Sequence, residues 1–180
     1  AQDLGSYGID RAGPELIPLL KEITTLPGSF WIRLLYIHPD HFPEELLNLC
    51  ARDKRLLPYF DIPFQHASPR ILNRMNRSGS MQQYCDLIAR IRGTLPDAVI
   101  RSTLLIGFPG ERKADFKQIR DFIQTARFDW LGVFPYSREE GTSASGLRSR
   151  IGERIMQPIS KKRTRVVEEL QEPIMQQQLD

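Results

Sequence analysis

Ala98-Val99-Ile100-Arg101-Ser102-Thr103-Leu104-Leu105-Ile106-Gly107-Phe108-Pro109-Gly110-Glu111 is the stretch on which the fold turns. Ala98–Ile106 is the strongest strand candidate in the chain, and Gly107–Gly110 closes it with a turn. Lys113–Ala126 follows as an amphipathic helix that carries Phe116, Ile119, Phe122 and Ile123 at helical spacing. The same order recurs elsewhere. Trp31–Ile37 runs into His38-Pro39-Asp40, Leu57–Phe64 into Gln65-His66-Ala67-Ser68, and Trp130–Pro135 into Tyr136-Ser137. The chain opens on Ala1-Gln2-Asp3, as though a strand had just finished. Strands alternating with helices through short crossovers make a parallel sheet of right-handed connection. Polar groups repeated at the carboxyl ends of such strands gather on one rim, where α/β barrels carry their chemistry. Four strands and the end of a fifth fall short of eight, so the expected fold is α/β, an open or partial TIM-type barrel with helices outside.

The intervening segments fit this plan. Pro14–Thr25 reads as a helix broken by Leu26-Pro27-Gly28-Ser29. Pro43 opens a helix to about Arg52, with Glu44 and Glu45 placed to complement its dipole. Pro58 and Pro63 predict a short or irregular strand at Leu57–Phe64. Ser68-Pro69 has the form of a cap and first helical residue, predicting a helix over Pro69–Asn76. A second helix is predicted over Met81–Arg92. Arg138–Gly152 reads as loop. A last helix, capped near Ser160, runs from Ile159 to about Glu172, where Pro173 ends or bends it.

The composition suits a globular protein of one domain or most of one: 180 residues, 41% hydrophobic and 26% charged. No run approaches the roughly 18–20 apolar residues of a membrane helix, and no signal peptide is recognisable. An opening Ala suggests a piece of a longer protein. The net charge of +3 does not by itself argue for nucleic acid. Lys161-Lys162-Arg163-Thr164-Arg165 is a local basic cluster, read as a solvated helix face in preference to a polyanion contact. Cys50 and Cys85 lie far apart on helix-like segments, which argues for buried small residues in a reducing cytosol and against a disulfide framework.

Candidate chemistry sits at the strand ends. Gly107–Glu111 lets backbone approach a ligand, yet the Lys-Ser/Thr pair of a Walker loop is missing. His38-Pro39-Asp40-His41 holds metal-capable side chains without a further ligand set, so hydrogen bonding is the preferred reading and no metal site is expected. Gln65 and His66 can address a ligand over the sheet, one of them facing inward. Arg101, taken as buried, needs an anionic partner from the protein or from a ligand. Asp3, Asp40, Asp61 and Glu111 are carboxylates without a geometry that sequence can supply.

Together these stretches resemble the methylthiotransferases of the radical S-adenosylmethionine superfamily. The resemblance runs through Ala1-Gln2-Asp3, Trp31–Asp40, Asp61–Ser68, Ile71–Arg77, Arg101–Glu111 and Gly132–Thr142, covering almost the whole chain in order. Gln65-His66-Ala67-Ser68 and Ser137–Thr142 look most like the branch acting on protein twelve of the small ribosomal subunit. The transfer-RNA branch usually has Gln-Ser-Gly-Ser at 65–68. That branch, and a non-catalytic α/β binding module, are the alternative readings.

The resemblance implies a six-stranded partial barrel whose strands three to six lie here. Residues 1–145 would be barrel, from the end of strand two to strand six, and 146–180 a loop and helix leading toward a further domain. It implies a cytoplasmic enzyme, S-adenosylmethionine, a 4Fe–4S cluster generating a 5′-deoxyadenosyl radical, and a ribosomal-protein substrate methylthiolated on the β-carbon of an aspartate. Gln2 and Asp3 would meet the amino group of S-adenosylmethionine. Gln65 and His66 would lie near the ligand, and Arg101 would fix its carboxylate. Ile106, Gly107 and the turn to Glu111 would pack near the adenine, bordered by Phe134 and Tyr136. Leu4 departs from the family's usual Thr. The cluster motif C-x₃-C-x₂-C is not in this sequence, so the chain is expected to be inert alone, and its uncovered strand edge to weaken it or make it associate.

Overall fold

The computed structural model describes residues 3–11, 13–147 and 153–179. Its strands are β1 (Ile32–Leu34), β2 (Leu56–Asp61), β3 (Val99–Ile106) and β4 (Trp130–Pro135), adjacent in the order β1-β2-β3-β4. Its helices are α1 (Leu16–Ile23), α2 (Glu45–Arg52), α3 (Pro69–Arg74), α4 (Met81–Thr94), α5 (Lys113–Ala126) and α6 (Glu153–Leu179). β1 with β2, and β2 with β3, are parallel, as the alternation requires. This is the α/β architecture of a partial TIM-type barrel. Among the described residues no helix is long and apolar enough to cross a membrane.

The chain forms two compact units, one of 1–63 with 86–101, the other of 64–85 with 102–180. In the first, Leu16 and Leu20 of α1, Leu46 and Leu47 of α2, and Leu56 and Phe60 of β2 are buried. β1 is shorter than the Trp31–Ile37 run predicts. Tyr36 takes a left-handed backbone (φ 60°) and its carbonyl accepts from Leu4 N–H at 2.9 Å, so the ladder is interrupted where the opening segment docks. Pairing resumes beyond it, Ile37 N–H donating to Asp61 O at 3.0 Å. Trp31 is 81% exposed and stands outside the strand. Ile32 pairs with Leu56 but Leu34 with Phe60, so the register slips in the stretch that holds Pro58, whose missing N–H cannot complete the ladder. β2 ends at Asp61, and Gln65 rejoins the sheet only as a bridge to Leu104.

The second unit packs around aromatic rings. Phe64, Phe122 and Phe128 are fully buried; Phe122 meets Phe64 and Phe128 edge to face at centroid distances of 5.4 and 5.2 Å. α6 differs most from expectation. It begins at Glu153 and continues through Pro173 to Leu179, a 27-residue helix. Contacts on both sides of that proline hold it. Gln171 Nε2 donates to Phe128 O at 2.6 Å, Ile174 is buried, and Arg127 donates to Gln177 Oε1 at 2.8 Å. Ser160 therefore caps nothing. It lies within the helix, and its hydroxyl donates to Met156 O at 2.9 Å.

Ser68 holds the N-cap position of α3 in extended backbone, followed by Pro69, but makes no side-chain cap. Its hydroxyl instead donates to Asp115 Oδ1 at 2.7 Å. Asp115 also accepts from Arg112 N–H at 2.8 Å, which caps α5, and from Arg70. Burial alone would raise this carboxyl; the hydrogen bonds of Arg70, Ser68 and Arg112 outweigh it and hold the carboxyl below its ordinary value.

Candidate functional site

The candidate side chains form four groups, two in each unit. On the first unit, Asp3 is gripped by its neighbours. Oδ1 accepts from Gly5 N–H and His38 N–H, each at 3.0 Å, and Oδ2 from the Ser6 hydroxyl at 2.6 Å. His41 Nδ1 lies 2.6 Å from the same Oδ2. Burial pushes this carboxyl up, but Ser6, His38 N–H, His41 and Gly5 N–H prevail and lower it to about 2. The His38–His41 motif thus serves as a hydrogen-bonding frame for Asp3. Among the described residues no cluster of three or more His, Cys, Asp or Glu could hold a metal ion. Gln2 lies outside the described residues.

The depressed Asp3 pKa fixes a sign. A folded value of about 2 lies below the ordinary 3.8, so the group stabilises the fold above the unfolded value and ceases to do so as pH falls through 2. Asp3→Asn is therefore expected to show a stability deficit that is constant above about pH 5, shrinks as pH falls through 2 and vanishes only near about pH 1. Urea midpoints across this range check it; a deficit that persists at the acid end contradicts it.

Also on the first unit, Arg101 NH1 donates to Asp61 Oδ2 at 2.8 Å. The two residues are register partners in β2 and β3. Arg101 is not buried as read from sequence. β3 alternates, with Ile100, Ser102, Leu104 and Ile106 inward, so Arg101 falls on the other face and its side chain is 35% exposed. Its protein partner is the buried Asp61, a carboxylate the sequence offered without a geometry. Asp61 Oδ1 remains buried without a hydrogen bond.

On the second unit, Gln65 has a left-handed backbone (φ 66°) and stays in the sheet through Thr103 O and Leu105 N–H, both at 2.8 Å. Its side chain is half-buried, whereas His66 is fully buried. His66 Nδ1 accepts from Ala67 N–H and Ser68 N–H, each at 2.9 Å, which leaves Nε2 to carry the proton. Nε2 points toward Glu111 Oε2 at 3.5 Å, without a hydrogen bond. Glu111 Oε2 accepts from Gly107 N–H at 2.7 Å, and Oε1 from Arg163 of α6. Glu111 is thus a buried hub joining the end of β3, His66 and α6. Within the basic cluster that the sequence presents as a solvated face, Arg163 and Thr164 turn inward, and Arg163 is the cation among them.

The last group is Ile106, Phe134 and Tyr136. Ile106 is buried and its carbonyl accepts from Tyr136 N–H at 2.7 Å. The Tyr136 ring meets Phe108 edge to face at 5.2 Å, and its hydroxyl is buried without a partner. Phe134 is 54% exposed. Asp61 Oδ1 on the first unit and, separately, the Tyr136 hydroxyl on the second are orphaned polar atoms of the kind a polar ligand satisfies. The cysteines do not fit a 4Fe–4S cluster. Cys50 is buried in α2, burial pushes its thiol up to about 11, and Cys85 is 35 positions further along.

The model of the radical SAM superfamily matches residues 6–123. The chain is 46% identical over 157 residues to the ribosomal protein uS12 methylthiotransferase RimO of Pseudothermotoga lettingae, covering 86% of this chain and 36% of that protein. It is 40% identical over 181 residues to the protein of the same name from Thermotoga sp. strain RQ2, covering 100% of this chain and 41% of that one. The chain therefore spans well under half the length of these relatives. Among solved structures, coproporphyrinogen III oxidase (HemN) from Escherichia coli, a radical SAM enzyme, superposes with a TM-score of 0.63 at 14% identity, covering 86% of this chain and 37% of that one. At such identity the likeness speaks for the fold.

Proposed function

Because the chain belongs to the radical SAM superfamily, we propose that it supplies the third to sixth barrel strands of an enzyme that methylthiolates the β-carbon of an aspartate in ribosomal protein uS12. The observation that carries this reading is the 40% identity to a uS12 methylthiotransferase across 100% of the chain. The Gln65-His66-Ala67-Ser68 segment that resembles the ribosomal-protein branch adds to it. In this reading the protein is cytoplasmic, residues 1–145 are barrel, and 146–180 lead toward a further domain.

S-adenosylmethionine, with a 4Fe–4S cluster, supplies radical hydrogen abstraction when bound. The cluster's ligands come from outside this chain, which alone turns nothing over. The chain's own residues bind and orient. Gln2 and Asp3 address the amino group of S-adenosylmethionine and Arg101, anchored by Asp61, its carboxylate; Gln65 lies near the ligand. Ile106, Gly107, Phe134 and Tyr136 border the adenine, with the orphaned Tyr136 hydroxyl available to it. Glu111 acts behind this layer by fixing the Gly107 turn, with His66 beside it. The test uses the full-length protein with reconstituted clusters, given small ribosomal subunits or transfer RNA. Mass gain on one aspartate of uS12 is the expected outcome. Modification of adenosine in transfer RNA, or of neither substrate, overturns the reading.

A further inference from the structure

The basic cluster near the carboxyl end has a counterpart that sequence did not reveal. On the second unit, α5 and α6 border a groove of about 670 Å³. Lys113, Lys117 and Arg120 of α5 line it, one below another at spacings of four and three residues, with Arg112 at the head of the helix. Lys162 and Arg163 of α6 line it from the other side. Phe116, Met156, Ile159 and Val166 form the apolar part. Lys117 is paired with Asp121 at 2.5 Å, and Arg163 with Glu111. Lys113, Arg120 and Lys162 are exposed and have no acid partner among the described residues.

The chemistry of this lining selects among anionic polymers. Glu111 is its one acid among the described residues, and it is buried with both oxygens turned to Gly107 N–H and Arg163. Every other polar group in the lining is a cationic donor. An acidic peptide carries backbone N–H groups that need acceptors, and the groove has none to give. The phosphodiester groups of a nucleic acid carry acceptors only. An apolar floor beneath a cationic rim also suits the flat face of an unpaired base.

We propose that the α5–α6 groove binds a single-stranded segment of RNA, with phosphates on Lys113, Arg120 and Lys162 and a base on the apolar floor. The proposal does not rest on sulfur insertion, because binding is read without turnover. The experiment uses the full-length protein and a fluorescein-labelled single-stranded RNA oligonucleotide, followed by anisotropy across a salt series. Arg120→Glu with Lys162→Glu is compared with Arg52→Glu and Lys54→Glu, an equal charge change at exposed cations of the first unit. The groove variant should lose affinity by about tenfold or more. Its slope of log affinity against log salt should fall by about 1.4, two phosphate contacts at 0.7 each. The control variant should match the parent. Equal losses in the two variants, no loss in the groove variant, or tighter binding of polyglutamate than of the RNA would each overturn the proposal.

Discussion

Gly107→Ala should destabilise the protein by about 3 kcal/mol, the sum of two costs of different origin. Gly107 sits at φ +81°, a left-handed conformation that costs an L-residue about 1–2 kcal/mol. Its missing side chain also makes room for α6. A Cβ there would lie 1.8 Å from Ser160 Oγ and 2.8 Å from Ser160 Cβ, so the helix must move away. Overpacking of this kind adds about 1–3 kcal/mol. Equilibrium urea unfolding measures the total, and Ser160→Ala separates the parts. Removing the hydroxyl relieves the closest clash but leaves the backbone strain and the Cβ contact. The double variant should therefore recover part of the loss. Full recovery would mean that conformational strain contributes nothing, and no recovery that α6 does not rest on this turn.

Glu111→Ala should cost as much or more, about 3–5 kcal/mol, because it strands a buried cation. The Glu111 side chain is fully enclosed and that of Arg163 is 14% exposed. Losing the carboxylate leaves Arg163 without its anion and Gly107 N–H without its acceptor. Glu111→Gln preserves shape and one acceptor but not charge, and should cost less. Arg163→Met in the Glu111→Gln background should add little, since the pair is already broken; the two changes are expected to be strongly non-additive. Additive effects would show that the carboxylate and guanidinium act independently, contrary to the contact between them.

The parts of the fold that local pattern decides were legible beforehand. α5 has the bounds that its spacing of Phe116, Ile119, Phe122 and Ile123 implies, β4 coincides with Trp130–Pro135, and β3 begins one residue inside its expected run. What distant residues decide was not. Nothing around Tyr36 announces that Leu4 will claim its carbonyl, and nothing around Arg101 names Asp61 as its partner 40 positions away. Pro173 carries a strong local signal to stop, overridden by Gln171, Ile174 and Gln177, which dock the helix on both sides of it. The candidate site follows the same division. Strand-end positions such as His66 and Glu111 could be picked out by sequence, but their mutual contact through a buried hub, with Arg163 as third member, depends on a helix some fifty residues later.

The diverted hydroxyl of Ser68 bears on the order in which the chain assembles. An isolated six-residue helix is too short to persist in water. The hydroxyl that could have helped it is committed to Asp115, 47 positions along the chain. α3 is therefore expected to form late. It acquires its terminal partner only once α5 exists to present Asp115, and the intervening loop must close first. In the folded protein the same dependence runs backward: when the first turn of α5 frays, α3 loses its anchor as well, so amide protons of the two helices should exchange as one cooperative block.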